Sequence, residues 1–266
     1  MPNILLVIVI YKTNLFISKT FQTFINKCHN TFLFVYDNSP IAQSINNPNI
    51  YYLHDKGNSG LSVAYNKAAN YAIKKNFKWL LLLDQDTDFS GLSIKDYENA
   101  ILNNPEIKIF APHIKCGEKF MSPVKVWNKM MKLQNYVPTG IINLSKYTLI
   151  NSGICVNVDA MIECGGYNDK VFLDYSDFEF LEKFKRKYTK AFIIDKDITQ
   201  NLSVFSDNKD TTINRYRLYC KSIKNCERCC FSDNFWFLTL VLKRGLSICL
   251  KKITIKPILI FFSEYL

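Results

Sequence analysis

The stretch "KWLLLLDQDTDF", residues 78–89, joins an apolar run to a cluster of carboxylates. Four consecutive leucines are typical of a strand that is buried on both faces of a sheet. The run ends at Asp84, and Asp86 and Asp88 follow at alternate positions. Carboxylates at the end of a buried strand serve either to cap a following helix or to bind a ligand.

The 266-residue chain has the composition of a globular protein, with 48% apolar and 21% charged residues. Its length suits one large domain, or one domain with an appendage. No stretch reaches the roughly 18 to 20 apolar residues of a membrane span. The opening "NILLVIVIYK" lacks the basic region and the cleavage site of a secretory signal. We therefore expect a cytoplasmic protein whose nine cysteines are reduced.

The segment "CERCC", residues 226–230, contains a CxxC spacing. A structural zinc site needs a second pair of ligands at similar spacing, and the sequence offers none. We therefore do not expect zinc to bind to this segment.

The first ninety residues alternate between predicted strands and predicted helices. Strands are predicted at 4–10, 32–39, 50–55 and in "WLLLLDQD", and amphipathic helices at 15–27 and 58–76. This order predicts an α/β fold with an open, mostly parallel sheet. Ligands of such sheets bind beyond the carboxyl ends of the strands, which is where this chain has Tyr11, Asp37 and Asp84.

Asp84 and Asp86 are the strongest chemical signal in the chain. Neither a GxGxxG dinucleotide fingerprint nor a GxxxxGK[ST] phosphate loop occurs. Two carboxylates two residues apart in an extended chain project in the same direction. They can hold Mg²⁺ or Mn²⁺ together with the phosphate oxygens of a substrate. Alternatively, they cap the helix that follows the strand.

Six motifs carry a resemblance to a known family. They are "VIVIYKTN", "VYDNSP", "NSGLSVAYNKAANYAI", "WLLLLDQDT", "NSGICVNVDAMIECGGYND" and "FLDYSDFEFLEKFKR". In this order they resemble the glycosyltransferases of family 2, and within it the bacterial rhamnosyltransferase-like branch that builds O-antigen and capsule polysaccharides. The resemblance runs from residue 4 to about residue 225.

The resemblance implies the GT-A fold and a division of the chain into three parts. A Rossmann-like, nucleotide-sugar-binding half (1–112) and an acceptor-binding half (113–207) would form the catalytic domain, 1–207. Residues 208–266 would form a basic, amphipathic helical segment. The implied reaction moves a sugar, with inversion, from a nucleoside diphosphate to an acceptor hydroxyl.

The resemblance also implies which residues contact the donor. Tyr11, Asp37 and Asn38 would contact its base and ribose, and Asp37 would accept a hydrogen bond from a uracil or thymine ring N–H. In "GNSG", Asn58 and Gly60 would lie beside the donor, because glycine lets the backbone approach a ligand closely.

The metal site follows from the same resemblance. Asp84 and Asp86 match the family's Asp-x-Asp, which binds Mn²⁺ or Mg²⁺, and Asp84 would also contact the nucleotide sugar. The family often has a histidine ligand after the strand that matches "AFIID", and this chain has Gln200 at that position. Gln200 can bind a hard cation through its carbonyl oxygen, or the position is not a ligand at all.

The helix "INRYRLYCKSIKN" matches an element that lies near the diphosphate in the family. Arg215, Arg217 and Tyr219 are therefore candidates for binding phosphate. A solvated basic helix is the alternative.

The resemblance implies that Ser152, Gly153 and Asp174 lie on the acceptor side and that Asp177 is the catalytic base. The base removes the proton of the acceptor hydroxyl while that oxygen attacks the anomeric carbon. Asp174 is the alternative base, or it orients the loop.

The segment 208–266 contains eleven Lys and Arg against four Asp and Glu, so it carries +7 of the chain's +11. It also contains the apolar runs "FWFLTLVL" and "ILIFF". Helices of this kind lie in the interface of an anionic membrane, so we expect residues 231–266 to bind the inner face of the cell membrane. A helical pair packed on the catalytic domain is the alternative. Nucleic acid is not expected, because no recognition motif accompanies the charge.

The branch resemblance makes dTDP-rhamnose the first expected donor, followed by UDP-galactose or UDP-glucose, with a lipid-linked or oligosaccharide acceptor. Two other classes of protein remain. A metal-dependent nucleotidyltransferase normally has a glycine-rich loop after its first strand, which "VIVIYKTN" lacks. A binding module without catalysis would not need Asp177.

Overall fold

The computed structural model describes residues 2–28, 31–134, 136–200 and 208–266. Its strands form one sheet: β1 (Ile4–Ile10), β2 (Phe32–Asp37), β3 (Ile50–His54), β4 (Trp79–Asp84), β5 (Thr87–Asp88), β6 (Ile109–Cys116), β7 (Lys119–Trp127), β8 (Met130–Gln134), β9 (Gly140–Asn143), β10 (Tyr147–Thr148), β11 (Cys155–Asn157) and β12 (Lys190–Gln200). The helices are α1 (Lys19–Thr23), α2 (Gly60–Lys74), α3 (Ile94–Asn103), α4 (Val158–Glu163), α5 (Ser176–Phe184), α6 (Lys209–Asn225), α7 (Phe231–Lys252) and α8 (Lys256–Ile260).

The N-terminal half of the sheet is parallel, in the order β3-β2-β1-β4. All seven residues of β1 are buried, because its two faces pack into two different hydrophobic clusters. Leu5 and Val7 face the cluster formed with α2, whereas Leu6 and Ile8 face the cluster formed with α3. The α/β prediction is confirmed, and the predicted strand at 4–10 matches β1.

The prediction of one continuous helix at 15–27 is wrong, because the segment is helical only in three short pieces. The segment contains α1 between two single helical turns, because Ser18 is extended (φ −61°, ψ 143°) and caps α1. Tertiary contacts also hold this region: the Thr20 amide donates to the Gln85 carbonyl at 3.3 Å, and its hydroxyl donates to the Thr87 carbonyl at 3.0 Å. The segment is therefore shaped by the turn after β4 rather than by its own periodicity.

The remaining strands extend the sheet and return the chain to the end of β4. β11 lies antiparallel between β4 and β6, and β12 runs parallel to β6. At its far end β12 pairs with β5, with Gln200 opposite Thr87. This register brings Gln200 beside the Asp-x-Asp turn.

The C-terminal helices α6, α7 and α8 surround a third hydrophobic cluster. Val171, Tyr175 and Phe178, from the loop before α5 and its first turn, belong to this cluster rather than to the two clusters of the sheet. The helices cross closely, because a Cβ on Gly245 would lie 2.4 Å from the Tyr216 hydroxyl. Within the described ranges, every helix is too short or too polar to cross a bilayer.

Candidate functional site

Three side chains meet where β4 and β12 end. Nε2 of Gln200 donates to Oδ2 of Asp84 at 2.9 Å and to Oδ1 of Asp86 at 3.2 Å. Gln200 is buried, and its Oε1 has no hydrogen-bond partner among the described residues. One amide thus joins both carboxylates while its own oxygen stays unsatisfied.

The donor set at this point fits a hard divalent cation. Carboxylate and amide oxygens are the protein ligands that Mg²⁺ and Mn²⁺ favour. Turning the Gln200 amide over would direct the unsatisfied Oε1 toward Asp84 and Asp86, and the two orientations differ only by exchange of O and N. No three His, Cys, Asp or Glu side chains cluster as a metal centre in the described part of the chain, so Gln200 would complete the set.

The raised pKa of Asp84 is consistent with a site that binds a cation. Burial raises the pKa of Asp84 to about 6, and repulsion from Asp86 adds to the shift. The hydrogen bond from Gln200 and the charge of Arg215 oppose it. Asp86 itself is exposed, and a cation bound between the two carboxylates would relieve their mutual repulsion.

Arg215 links this group to the loop before α5. Its Nη2 lies 2.8 Å from Oδ1 of Asp174, and Nη1 of Arg244 lies 3.6 Å from the other oxygen, Oδ2. The Asp174 side chain is only 10% exposed. Arg215 is thus hydrogen-bonded to one oxygen, whereas the other oxygen has no hydrogen-bond partner among the described residues and pairs with Arg244 through charge alone. A carboxylate that faces two guanidinium groups is suited to fixing the loop rather than to accepting a proton.

Asp177 lies in the first turn of α5 and has a different environment. Its Oδ1 accepts a hydrogen bond from the Phe178 amide at 2.8 Å. Burial, together with repulsion from Asp174 and Asp84, raises the pKa of Asp177 to about 7, against the opposing effect of the hydrogen bond from the Phe178 amide. A carboxylate with a pKa near neutrality is well matched to general base catalysis.

Tyr65, on the inner face of α2, belongs to the same group. It is fully buried, and its hydroxyl has no hydrogen-bond partner of regular geometry among the residues described. Burial raises its pKa, and Asp84, Tyr167 and Asp177 contribute. The sequence motifs did not indicate Tyr65 as a site residue, because a tyrosine in an amphipathic helix has no distinguishing signal.

The predicted nucleoside residues lie at the ends of β1 and β2. Tyr11 is 42% exposed, and its amide donates to Oε1 of Gln85 at 2.8 Å. Asn38 is buried, and its Oδ1 has no hydrogen-bond partner in the described structure. An open cleft of about 400 Å³ lies beside these strand ends, lined by Lys12, Thr13, Asn14, Ser39, Pro40, Ile41 and Gln43.

Asp37 has no exposed surface. Its Oδ1 accepts from the Ser39 amide at 2.8 Å, and its Oδ2 accepts from Tyr52 at 2.7 Å and from Gln43 at 3.3 Å. The predicted direct bond to a pyrimidine therefore requires the loop after β2 to move.

Asn58 and Gly60 form a tight turn into α2, both at positive φ (51° and 90°). A Cβ on Gly60 would lie 2.3 Å from the Phe172 carbonyl oxygen, so only glycine fits. The Leu61 amide donates to that oxygen at 2.9 Å. The turn therefore joins the start of α2 to the loop that leads to Asp177.

Ser152 and Gly153, predicted on the acceptor side, contact residues in and just after β4. The Ser152 hydroxyl lies 2.8 Å from the hydroxyl of Thr87, and the Gly153 amide donates to the Leu82 carbonyl at 2.8 Å. Ser152 is fully buried. Both residues support the end of β4 from behind, and direct contact of Ser152 with an acceptor would require movement.

Two predicted phosphate ligands contact other parts of the chain. Arg217 pairs with Glu264 at 3.3 Å, and the ring of the buried Tyr219 lies 4.1 Å from the guanidinium carbon of Arg244. Of the three residues predicted from this helix, Arg215 is the one that interacts with Asp84.

Comparison with known proteins gives the name of the fold. No protein-family model and no curated protein matches the chain. Solved structures do match: TarS from S. aureus (TM-score 0.51, 13% identity, covering 93% of this chain and 44% of TarS) and GalNAc-T7 with UDP, GalNAc and Mn²⁺ (TM-score 0.55, 11% identity, 92% and 57%). TarS residues 1–349 in complex with UDP also match (TM-score 0.52, 14% identity, 93% and 72%).

The chain has the GT-A fold. The fold prediction is therefore confirmed. At these identities the likeness concerns the fold alone, and the chain spans about half the length of full TarS and of GalNAc-T7.

Arg244 is the other contact that sequence reasoning missed. It lies 70 positions after its partner Asp174, and the local sequence of a basic helix does not distinguish it from its neighbour Lys243. A GT-A fold alone does not predict where appended helices pack, so only the structure identifies this pair.

Proposed function

We propose that the protein is an inverting glycosyltransferase, which moves a sugar from a nucleoside diphosphate to an acceptor hydroxyl. One observation carries the proposal: Asp84, Asp86 and Gln200 meet at the carboxyl edge of a GT-A sheet, and Arg215 and Asp177 interact electrostatically with Asp84. Ligands of α/β sheets bind at this edge. The arrangement brings together oxygen ligands for a metal ion, the positive charge of Arg215 and a carboxylate, Asp177, that can act as a base.

On the donor side, Asp84, Asp86 and Oε1 of Gln200 would hold Mn²⁺ or Mg²⁺. Such a cation, when bound, neutralises the charge of the leaving diphosphate. Arg215 already interacts with Asp84 and would bind phosphate oxygens. Solved neighbours with UDP, UDP-GlcNAc and Mn²⁺ support this use of the fold.

The nucleoside would occupy the cleft beyond β1 and β2. Tyr11 is exposed there and Asn38 has an unsatisfied oxygen, so both are proposed contacts. Asp37 would hold the loop after β2, or would bind the base after the loop moves. Asn58 and Gly60 would shape the opposite side through their tight turn.

On the acceptor side, Asp177 would accept the proton of the attacking hydroxyl, and Asp174 would hold the loop. A single displacement of this kind inverts the anomeric centre, because the hydroxyl and the diphosphate lie on opposite sides of the carbon. The buried Tyr65 hydroxyl is a neutral donor beside Asp84, with which it interacts although the two atoms do not form a hydrogen bond of regular geometry. It would donate to Asp84 or to an ordered water there.

The donor and acceptor classes follow from the sequence resemblance. We propose dTDP-rhamnose as the first donor, with UDP-galactose or UDP-glucose as the alternatives, and a lipid-linked or oligosaccharide acceptor of surface polysaccharide synthesis. Because neighbours bind UDP and UDP-GlcNAc, UDP-GlcNAc belongs in the same test.

The outer face of α7 supports a location at the inner surface of the cell membrane. Its exposed apolar residues recur at helical spacing, and α8 continues the surface: Phe231, Phe235, Leu242, Leu246, Leu250, Ile253, Ile255, Leu259 and Phe262. Lys243, Lys251 and Lys256 are exposed beside them. Apolar residues flanked by lysines match the interface of an anionic bilayer. A lipid-linked acceptor would be held at that interface.

The test is release of nucleoside diphosphate from dTDP-rhamnose, UDP-galactose, UDP-glucose and UDP-GlcNAc, with Mn²⁺, with Mg²⁺ and with EDTA. Cation-dependent release from at least one sugar nucleotide supports the proposal. Pyrophosphate release from a nucleoside triphosphate, without release from any sugar nucleotide, would support a nucleotidyltransferase instead.

A further inference from the structure

The loop before Asp177 contains a strained residue whose support comes from the C-terminal helices. Tyr175 adopts a left-handed conformation (φ 77°), which costs a non-glycine residue of order 1 kcal/mol or more. Its ring stacks on Phe178 at 4.7 Å and meets the edge of Phe237, in α7, at 5.7 Å. Such a conformation persists because the surrounding structure holds it.

Polar contacts join the same loop to α6 and α7. The two oxygens of Asp174 face Arg215 of α6 and Arg244 of α7, at 2.8 and 3.6 Å. Arg244 is 25% exposed and stacks over Tyr219, so its guanidinium is held on two sides.

Helix α7 is itself fixed against α6 at this level. Gly245, next to Arg244, permits the close approach of Tyr216, and the Tyr216 hydroxyl donates to the Val241 carbonyl at 3.0 Å. A shift of α7 would therefore break packing as well as the ion pair. The packing of α7 against α6 therefore fixes the position from which Arg244 pairs with Asp174.

We propose that Arg244 is a positioning residue of the catalytic centre: it acts through Asp174 to fix the loop that leads into α5 and to Asp177. This inference rests on the proposed function, because it assigns Asp177 to the chemistry. Without Arg244, one oxygen of a buried carboxylate loses its counter-charge, which is unfavourable unless the loop moves toward water. A displacement of about 1 Å at the reacting groups can lower the rate roughly 10²-fold.

The kinetic test uses the full-length protein and the best sugar nucleotide of the donor panel. We expect Arg244→Met to lower kcat roughly 10²-fold and to leave KM for the donor within about twofold of wild type. Arg244→Lys should retain part of kcat, because lysine keeps the charge but not the planar guanidinium. Lys221→Met, an exposed charge on α6 paired with Glu264, is the matched control and should resemble wild type.

A double variant tests whether Arg244 acts through Asp174. If it does, Arg244→Met combined with Asp174→Asn should be no slower than Asp174→Asn alone, because residues of one network are not additive. Multiplied effects in the double variant, or a wild-type kcat in Arg244→Met, would overturn the inference. A raised KM at constant kcat would assign Arg244 to donor binding and would overturn it too.

A second readout separates this inference from the proposed function. Amide hydrogen exchange over residues 171–178 should accelerate in Arg244→Met and stay unchanged in Lys221→Met, whether or not a donor is known. If wild type releases no nucleoside diphosphate from any donor, the proposed function fails while the exchange result still decides whether Arg244 holds the loop. Unchanged exchange in Arg244→Met would contradict the inference by itself.

Discussion

Asp84 and Asp177 belong to one electrostatic group but rest on different parts of the molecule. Asp84 ends a strand whose preceding residues are buried between two hydrophobic clusters. Asp177 follows a left-handed turn whose side chains pack among the C-terminal helices. The parallel half of the sheet therefore fixes the proposed donor site, whereas the proposed chemistry depends on a helical segment far along the chain. Substitutions at the end of β4 should therefore weaken donor binding, whereas substitutions around Asp177 should lower kcat at unchanged donor affinity.

The largest effect is expected at the base. Asp177→Asn keeps the shape of the side chain but removes its capacity to accept a proton, so kcat should fall by roughly 10² to 10⁴ at unchanged donor affinity. Steady-state release of nucleoside diphosphate measures kcat, and Asp159→Asn, at an exposed surface ion pair, is the matched control. Wild-type turnover in Asp177→Asn, with loss in Asp174→Asn, would make Asp174 the base.

The outer face of α7 should control membrane binding. Burying a leucine side chain is worth about 1.5 to 3 kcal/mol, so each Leu→Glu change should weaken partitioning about tenfold or more. We expect wild type to sediment with anionic but not neutral vesicles, and less so at high salt. The double variant Leu246→Glu/Leu250→Glu should lose this binding, and Leu102→Glu, an exposed leucine on α3, should keep it. Equal sedimentation of wild type and the double variant would refute the proposed surface.

Substitution is a better test of this surface than removal of residues 231–266. Phe237 and Val241 face inward and share a cluster with Tyr175. A truncated chain would therefore lose the support of the loop before α5 together with the exposed apolar side chains of α7.

The raised pKa of Asp177 predicts how activity and stability depend on pH. The base must be ionised, so kcat should fall about tenfold per pH unit below pH 7. Between the unfolded value of about 3.9 and the folded value of about 7, the native state binds more protons than the unfolded state. This group therefore makes the free energy of unfolding decrease as the pH rises through that window.

Thermal melting in EDTA should show a smaller loss of stability from pH 5 to pH 8 in Asp177→Asn than in wild type. The variant lacks the group that must be deprotonated while buried. Identical slopes in the two proteins would show that Asp177 ionises at its ordinary pKa.

The smallest expected effect concerns the turn that joins the two regions. Gly60→Ala places a Cβ against the Phe172 carbonyl and strains a positive φ, so it should destabilise the protein by about 1 to 3 kcal/mol. Gly140→Ala has a positive φ of 72° but no atom within 4 Å of the added Cβ, so it reports the backbone strain alone. The difference in melting temperature between the two variants measures the contact with residue 172. Equal decreases in melting temperature would mean that the contact between Gly60 and Phe172 adds nothing to the backbone strain.

The sequence predicted the sheet well because buried parallel strands are continuous apolar runs. The apolar runs "ILLVIVI" and "WLLLLD" have the same ends as strands β1 and β4. The strands end there because the polar residues that follow are unfavourable between two hydrophobic layers. It failed at residues 15–27 because Thr20 bonds to the turn after β4, and helical periodicity does not reveal such a contact.

Within the candidate site, the sequence indicated Asp84, Asp86 and Gln200, and the structure brings these three together. It did not indicate Tyr65 or Arg244. A tyrosine in an apolar stripe and an arginine in a basic helix acquire their contacts only through packing of distant elements. The sequence therefore predicts the site residues at the ends of the strands better than it predicts those that the C-terminal helices support.

The most direct test of the account is calorimetry of UDP and dTDP binding in the presence of Mn²⁺. Wild type and Asp177→Asn should bind with the same affinity, because Asp177, in the first turn of α5, takes no part in holding the nucleotide. Asp86→Ala should lose the cation-dependent binding while keeping the fold, since a carboxylate at a strand end contributes little to the core. Unchanged affinity in Asp86→Ala would contradict the central claim that the end of β4 binds the donor through a cation.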